Sequence, residues 1–341
     1  MQNGEIVITK FNFFRALIII STISVANLSV AVEIKSQTFT NVKSCFDPPF
    51  DNFESWTEML SQKKDKIIPP DVLVQMKDQY SHFRNLIICE NFEYNVAGYQ
   101  VKGFYIAPIS STKKIPLIIY NRGGNRNYGS VFFGYQLFEL FPLAERGFAI
   151  VGSQYRGTNF KSILNLDEFG GNDVQDVLKL VDIADQFPRV DSSRIGMYGT
   201  SRGGMMSYLA AKETNKLSAI VVQAGDTDLV ASLAVRPEME RVYKDCIPNY
   251  ASTKTQALYA RSAIKWVEKL PKNVPILLLH GMQDDRVPTA RSIEMAARLK
   301  ELNRVHKLVL YPNDGHTLNN HHDEALNEIS SWFKKYFEHR S

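Results

Sequence analysis

From residue 88 onward, short apolar runs alternate with windows of helical periodicity, and this alternation constrains the fold more than any other feature of the chain. Continuous apolar runs suit strands buried on both faces, and helical windows between them supply the crossovers that parallel strands need. The runs are Ile88 to Tyr94, Gln100 to Ala107, Pro116 to Tyr120, Ala149 to Gln154, Ile195 to Tyr198, Ala219 to Gln223, Ile276 to His280 and Lys307 to Tyr311. They predict an α/β fold whose eight-stranded, mostly parallel sheet carries helices on both faces. In the last helical window Ala325, Leu326, Ile329, Trp332, Phe333, Tyr336 and Phe337 recur at three- and four-residue intervals, which is core packing. The gap from Ala224 to Val274 exceeds what one crossover needs, and it predicts a small helical cap within 225–273, before a helix over Thr255 to Leu270.

The first 31 residues follow another rule. Lys10 and Arg15 precede an apolar stretch, Ala16 to Ala31, that is diluted by serines and ends in Ser29-Val30-Ala31. This is the layout of a secretory signal peptide cleaved after Ala31, or after Ala26 as second choice. A membrane span needs about 20 residues, so a membrane becomes a partner only if this segment is an uncleaved anchor. The expectation is export, to the periplasm or the medium. Residues 32–86 read as a polar leader with helical candidates around Glu54 to Lys64 and, after Pro69-Pro70, around Asp71 to Phe83. An oxidising compartment permits Cys45 to pair with Cys89 and leaves Cys246 over, whereas the competing reading is three buried free thiols.

Composition closes off other classes. With 44% hydrophobic and 22% charged residues the chain is not disordered. Forty Lys and Arg against 36 Asp and Glu leave a net charge of +4, too small and scattered for a nucleic-acid footprint. There is no C-x-x-C pair and hence no thiolate metal or redox motif. No metal or cofactor is expected.

The segment that carries chemistry is Arg194-Ile195-Gly196-Met197-Tyr198-Gly199-Thr200-Ser201-Arg202-Gly203-Gly204. A strand runs into G-x-S-x-G and a helical pattern follows, so Ser201 sits on a sharp strand-to-helix turn that lifts its oxygen clear of the sheet. The same turn aims the Arg202 N–H at the place where an oxyanion forms. A serine nucleophile needs a base, and the base an orienting acid, each in a loop after a later strand. Ile276 to Leu279 runs into His280-Gly281-Met282-Gln283-Asp284-Asp285-Arg286-Val287-Pro288, and Lys307 to Tyr311 runs into Pro312-Asn313-Asp314-Gly315-His316. The expected triad is Ser201, Asp284 and His316, with Asp285 as the alternative acid. His280 is expected to satisfy backbone groups, and His321 and His322 to be solvated rather than metal ligands. The loop Tyr120-Asn121-Arg122-Gly123-Gly124-Asn125 is expected to supply a second oxyanion donor and to let substrate approach Gly123 closely.

Taken together, the glycine pair after the third strand, Tyr155-Arg156-Gly157, Gly199-Thr200-Ser201-Arg202-Gly203-Gly204, the Asp284-Asp285 loop and Asp314-Gly315-His316 resemble the catalytic domain of the prolyl oligopeptidase family, from about Lys114 to the C-terminus. The resemblance implies an α/β-hydrolase domain over 87–341, a triad acid at the first aspartate of the pair, Asp284, and hydrolysis of peptide or amide bonds. Two features depart from the family pattern. Family peptidases carry a β-propeller ahead of the hydrolase domain, and the about 55 residues between the expected cleavage site and the first strand cannot hold four four-stranded blades. The leader is expected to pack over the site as a partial substitute. Arg122 stands where the family commonly has a tyrosine or histidine that helps hold the oxyanion; an arginine there donates hydrogen bonds or binds a substrate carboxylate. Glu168 is a candidate for a substrate amine, against a helix-dipole role, and Arg156 and Arg261 are expected to form structural ion pairs. The expected substrate is a small peptide, with an acyl ester on the same triad as the alternative and a non-catalytic binding protein as the third reading.

Overall fold

The structure, a computed structural model, describes residues 34, 37–62, 68–111, 113–158 and 166–338; the candidate signal peptide lies outside them. Nine strands form one sheet: β1 (Phe39–Ser44), β2 (Ile87–Val96), β3 (Tyr99–Pro108), β4 (Ile115–Asn121), β5 (Ala149–Ser153), β6 (Val190–Thr200), β7 (Leu217–Gln223), β8 (Ile276–Gly281) and β9 (His306–Tyr311), in the order β1-β2-β3-β5-β4-β6-β7-β8-β9. β1, β2, β3 and β5 pair antiparallel in succession, and every pair from β5 through β4 to β9 is parallel. All eight strands expected from the apolar runs are present. The ninth, β1, comes from the leader; it is an edge strand whose sequence FTNVKS buries only Phe39, so no apolar run announces it.

The helices are α1 (Phe53–Ser61), α2 (Pro70–Arg84), α3 (Phe133–Tyr135), α4 (Phe141–Glu145), α5 (Val174–Asp182), α6 (Arg202–Ala211), α7 (Leu229–Val235), α8 (Met239–Cys246), α9 (Tyr250–Arg261), α10 (Ala290–Glu301) and α11 (His322–Glu338), with a π-helical turn, Gln136–Leu140, joining α3 to α4. The two-residue period of each parallel strand feeds two cores. Ile276 and Leu278 of β8 join Val177, Leu209, Leu258 and Met295 on one face. Leu277 and Leu279 join Phe141, Phe333 and Phe337 on the other. Helix α2 begins as its Pro70 predicts, with proline in the first turn.

The leader is part of this second core: Trp56 of α1 and Tyr80 and Phe83 of α2 pack with Phe133 and Phe141. A disulfide joins Cys45 to Cys89, and Cys246 is a buried free thiol. Between β7 and β8 lie α7, α8 and α9. The helix expected over 255–270 begins earlier and stops at Arg261, where Ser262 turns extended; two 3-10 turns, Ala263–Lys265 and Val267–Lys269, continue the apolar spacing past the end of the helix. Among the described residues no helix is long and apolar enough to cross a membrane.

Candidate active site

At the carboxyl end of β6 the chain turns directly into α6, and Ser201 takes the corner at φ 57° and ψ −124°. For a residue with a side chain this left-handed conformation costs about 1–3 kcal/mol. The turn is tight enough to forbid side chains on either side: a Cβ on Gly199 would lie 2.1 Å from the Gly203 carbonyl oxygen, and one on Gly203 would lie 1.8 Å from that of Asn121. The Ser201 N–H donates to the Gln223 carbonyl at 2.9 Å, which pins the corner to the neighbouring strand. Arg202 is the first residue of α6, and Gly123 packs against the serine, a Cβ there falling 3.2 Å from Ser201 Cβ.

The loops after β8 and β9, two and three strands away, meet. His316 Nδ1 donates to Asp284 Oδ2 at 2.8 Å, which leaves its other ring nitrogen free to act as a base. Asp284 Oδ1 accepts the N–H groups of Arg286 and Val287 at 2.8 and 2.9 Å, so the carboxylate is fixed before it meets the imidazole. Asp284 has a buried side chain, whereas Asp285 is exposed. The structure therefore brings the first aspartate, not the second, to the histidine. Burial alone disfavours the Asp284 charge, but hydrogen bonds from His280 and His316, the charge of His316 and the Val287 N–H outweigh it and hold the carboxyl well below its ordinary range.

His280 does more than satisfy backbone. Its Nε2 faces both Asp284 Oδ2 and the Val287 carbonyl at 3.0 Å, two acceptors, so this nitrogen carries the proton and Nδ1 accepts from Ser292 Oγ at 2.7 Å. Asp284 thus lies between two imidazoles; the four-residue spacing from His280 is the sequence signal for the second one. Asp314 shapes the other loop, its Oδ2 accepting the N–H groups of Asn320 and His321 and the His321 ring. His321 and His322 are not merely solvated: His322 pairs with Glu139 at 3.1 Å. Among the described residues no group of three or more His, Cys, Asp or Glu side chains is placed to hold a metal.

Arg122 departs from expectation. Its guanidinium is 1% exposed and turned into the protein, donating to the carbonyls of Gly123, Arg126, Tyr128 and Gln154 and to Thr158 Oγ1 at 2.7–3.1 Å. All five of its N–H groups are used, so the side chain neither reaches the oxyanion position nor has a donor left for a substrate carboxylate. Burial, reinforced by the nearby Arg202 charge, lowers its pKa to about 10. Arg202 is buried too, but with counter-charges: it pairs with Asp167 at 2.8 Å and with Asp173. The Tyr155 ring lies between the two guanidiniums, 4.8 Å from Arg122 and 5.2 Å from Arg202. Glu168 does not line the site; it accepts from the Asn172 backbone and side chain in the turn before α5. Arg156 forms an ion pair with Asp176, while Arg261 bonds the carbonyls of Ala257, Glu168 and Phe169 and pairs with no acid among the described residues.

Ser201, His316, Gly123 and Arg202 open onto one cavity of about 650 Å³. Tyr120 and Tyr135, whose hydroxyls bond each other while Tyr120 also reaches Thr200 Oγ1, form one wall; Phe169, Met205 and Met239 contribute apolar surface. Among the described residues none of the leader lines it; α1 and α2 pack into the second core rather than over the site. A serine on a strained corner, an imidazole oriented by a buried carboxylate and backbone N–H groups beside the serine are together the equipment for acyl transfer.

The chain is similar to known proteins. Over 280 residues the chain is 29% identical to the uncharacterized peptidase YuxL of Bacillus subtilis, spanning 77% of this chain and 41% of that protein. It is 30% identical over 238 residues to the acylamino-acid-releasing enzyme of Sus scrofa, spanning 65% of this chain and 31% of the enzyme. It therefore matches well under half of either relative. Among solved structures, the acylaminoacyl peptidase of Pyrococcus horikoshii superposes with a TM-score of 0.64 at 22% identity over 74% of this chain and 42% of that one, a likeness of fold. The sequence profile of the prolyl oligopeptidase family matches residues 133–340, which include the serine corner, the aspartate loop and His316. The chain belongs to the prolyl oligopeptidase family.

Proposed function

We propose that this protein is an exported serine peptidase that cleaves a peptide or amide bond through an acyl-enzyme. Ser201 attacks the carbonyl carbon, and its proton passes to His316, which returns it to the departing amine; water then releases the acyl group by the same relay. Asp284 keeps the imidazole in the tautomer that accepts this proton. The N–H groups of Arg202 and Gly123 are the proposed oxyanion donors, since the Arg122 side chain is turned away. The observation that carries the reading is the His316 to Asp284 hydrogen bond of 2.8 Å, formed at the rim of the cavity that Ser201 enters. Family membership supports peptidase chemistry, and the Cys45 to Cys89 disulfide supports an oxidising compartment.

The test is the rate on matched aminoacyl amides and esters for wild type and Ser201→Ala. The expected outcome is measurable amide hydrolysis that Ser201→Ala lowers by about 10⁴-fold or more. Hydrolysis of esters alone moves the protein to the esterases, and undiminished hydrolysis in Ser201→Ala overturns the nucleophile.

A further inference from the structure

The catalytic cavity holds a carboxylate that the triad does not use. Asp226 follows β7 and lines the cavity together with Ser201. Only two residues separate it from Gln223, whose carbonyl accepts the Ser201 N–H, so the carboxylate is built onto the backbone that pins the nucleophile. Its two hydrogen bonds, from the Asp228 N–H at 3.1 Å and the Ser232 hydroxyl at 2.8 Å, both fall on Oδ1. Oδ2 has no hydrogen-bond or ion-pair partner among the described residues, and it is not one of the side-chain atoms sealed from solvent, so it faces the cavity.

Most charges around it are already engaged; Arg291 pairs with Glu294, and Arg286, which also lines the cavity, is exposed and reaches the Tyr128 hydroxyl. Asp228 caps α7 through the Val230 and Ala231 N–H groups and pairs with Lys265. Glu139 pairs with His322, and Arg236, which also lines the cavity, is tied to Glu238 and to the Arg286 carbonyl. Met205, Leu229, Met239 and Tyr243 give this end apolar walls. Burial raises the Asp226 pKa, and the Ser232 hydroxyl, the Asp228 N–H and the Arg291 charge do not compensate. A half-buried acid left short of a counter-charge gains most from a ligand that brings one. A cation on a long apolar stem fits both features, with the stem against the walls and the head on Oδ2.

Topology indicates which half of the substrate is involved. The acyl part stays on Ser201 Oγ, whereas the leaving group is protonated from His316. Asp226 lies in the loop after β7, the strand next to the one that ends at Ser201 and two strands from β9, whose following loop carries His316. We propose that Asp226 is a specificity residue that selects a lysine- or arginine-like side chain on the acyl side of the scissile bond, an inference that rests on Ser201 being the nucleophile.

The test compares N-acetyl-lysyl and N-acetyl-norleucyl p-nitroanilides, similar in length but not in charge, on wild type, Asp226→Asn and Asp226→Glu. Active enzyme in each sample is counted by fluorophosphonate labelling of Ser201. Wild type is expected to favour the lysyl substrate by about tenfold or more in kcat/KM, since exchanging a charge-assisted contact for none is worth at least that factor. Asp226→Asn keeps an Oδ1 acceptor for both internal hydrogen bonds and is expected to bring the ratio to within about twofold, while Asp226→Glu retains a preference. Independently of any variant, n-butylguanidinium is expected to slow labelling of wild type at concentrations where 1-pentanol does not. No lysyl preference in labelled wild type, a preference that survives in Asp226→Asn, or equal protection by the two small molecules overturns the proposal. Folded wild type that fails to label overturns the nucleophile itself, and the specificity inference falls with it.

Discussion

Asp284 shows how much a single carboxylate can organise: one oxygen holds two backbone N–H groups of its own loop, and the other faces His280 and His316. Because the folded pKa is depressed, its contribution to stability is present above the unfolded carboxylate value of about 3.9 and is lost only as pH falls through the lower folded value. Asp284→Asn is expected to lower kcat by about 10³–10⁴-fold, since the amide orients the wrong tautomer, while Asp285→Asn changes it by less than about threefold; kcat on an amide substrate measures both. Equal losses in the two variants would contradict the assignment. The triad residues are legible because each ends a strand and belongs to a short recognisable pattern. Arg122 is not legible in the same way: residue type and position suggest a donor at the oxyanion, but which way a side chain turns depends on the carbonyls that surround it. Arg122→Met is accordingly expected to destabilise the protein, by about 2–4 kcal/mol in denaturant unfolding, because several buried carbonyls lose their donor. An unchanged midpoint would show that the guanidinium is not holding this loop together.

At the scale of elements, the serine corner depends on three pieces of chain passing within van der Waals contact. Gly203→Ala would force a Cβ to 1.8 Å from the Asn121 oxygen, so the β4 loop or the corner must move. The expected result is loss of fluorophosphonate reactivity even where circular dichroism still reports a folded protein; full reactivity would contradict the packing described. The chain ahead of the sheet is the element read least well. β1 has no apolar run because an edge strand with one buried residue needs none, and the end of α9 is blurred because 3-10 turns continue its apolar spacing. The Cys45 to Cys89 disulfide fastens this region to β2 across a sequence separation of 44 residues. A loop of that size makes the cross-link worth about 2–4 kcal/mol, so reduction is expected to lower the thermal midpoint by several degrees in scanning fluorimetry, and no shift would mean the bond adds nothing to folding. At the other end, the Glu139 hydrogen bond and charge raise the His322 pKa, so the tie from α11 to the π-turn is complete below the ordinary histidine value of about 6.5 and is lost as pH rises through the higher folded value. Glu139→Gln is expected to move the His322 titration, followed by NMR, back down; an unmoved titration would show that Glu139 is not its partner.

For the whole molecule, alternating apolar runs and helical windows were enough to read a parallel sheet with two covered faces, because burial on both sides leaves a continuous apolar trace in the sequence. The cavity as a whole was not readable, since it is assembled from the loops after β4 to β9 and only those that carry the triad have a recognisable pattern; Asp226 is a lone acid in the loop after β7. We propose that these loops assemble a working Ser201, His316 and Asp284 triad. It is tested by intact-mass analysis of the purified protein after fluorophosphonate treatment, with peptide mapping of the adduct. One adduct is expected, on Ser201, absent from Ser201→Ala and slowed at least about tenfold in His316→Ala. Folded protein that takes up no label, or an adduct on a residue other than Ser201, would contradict it.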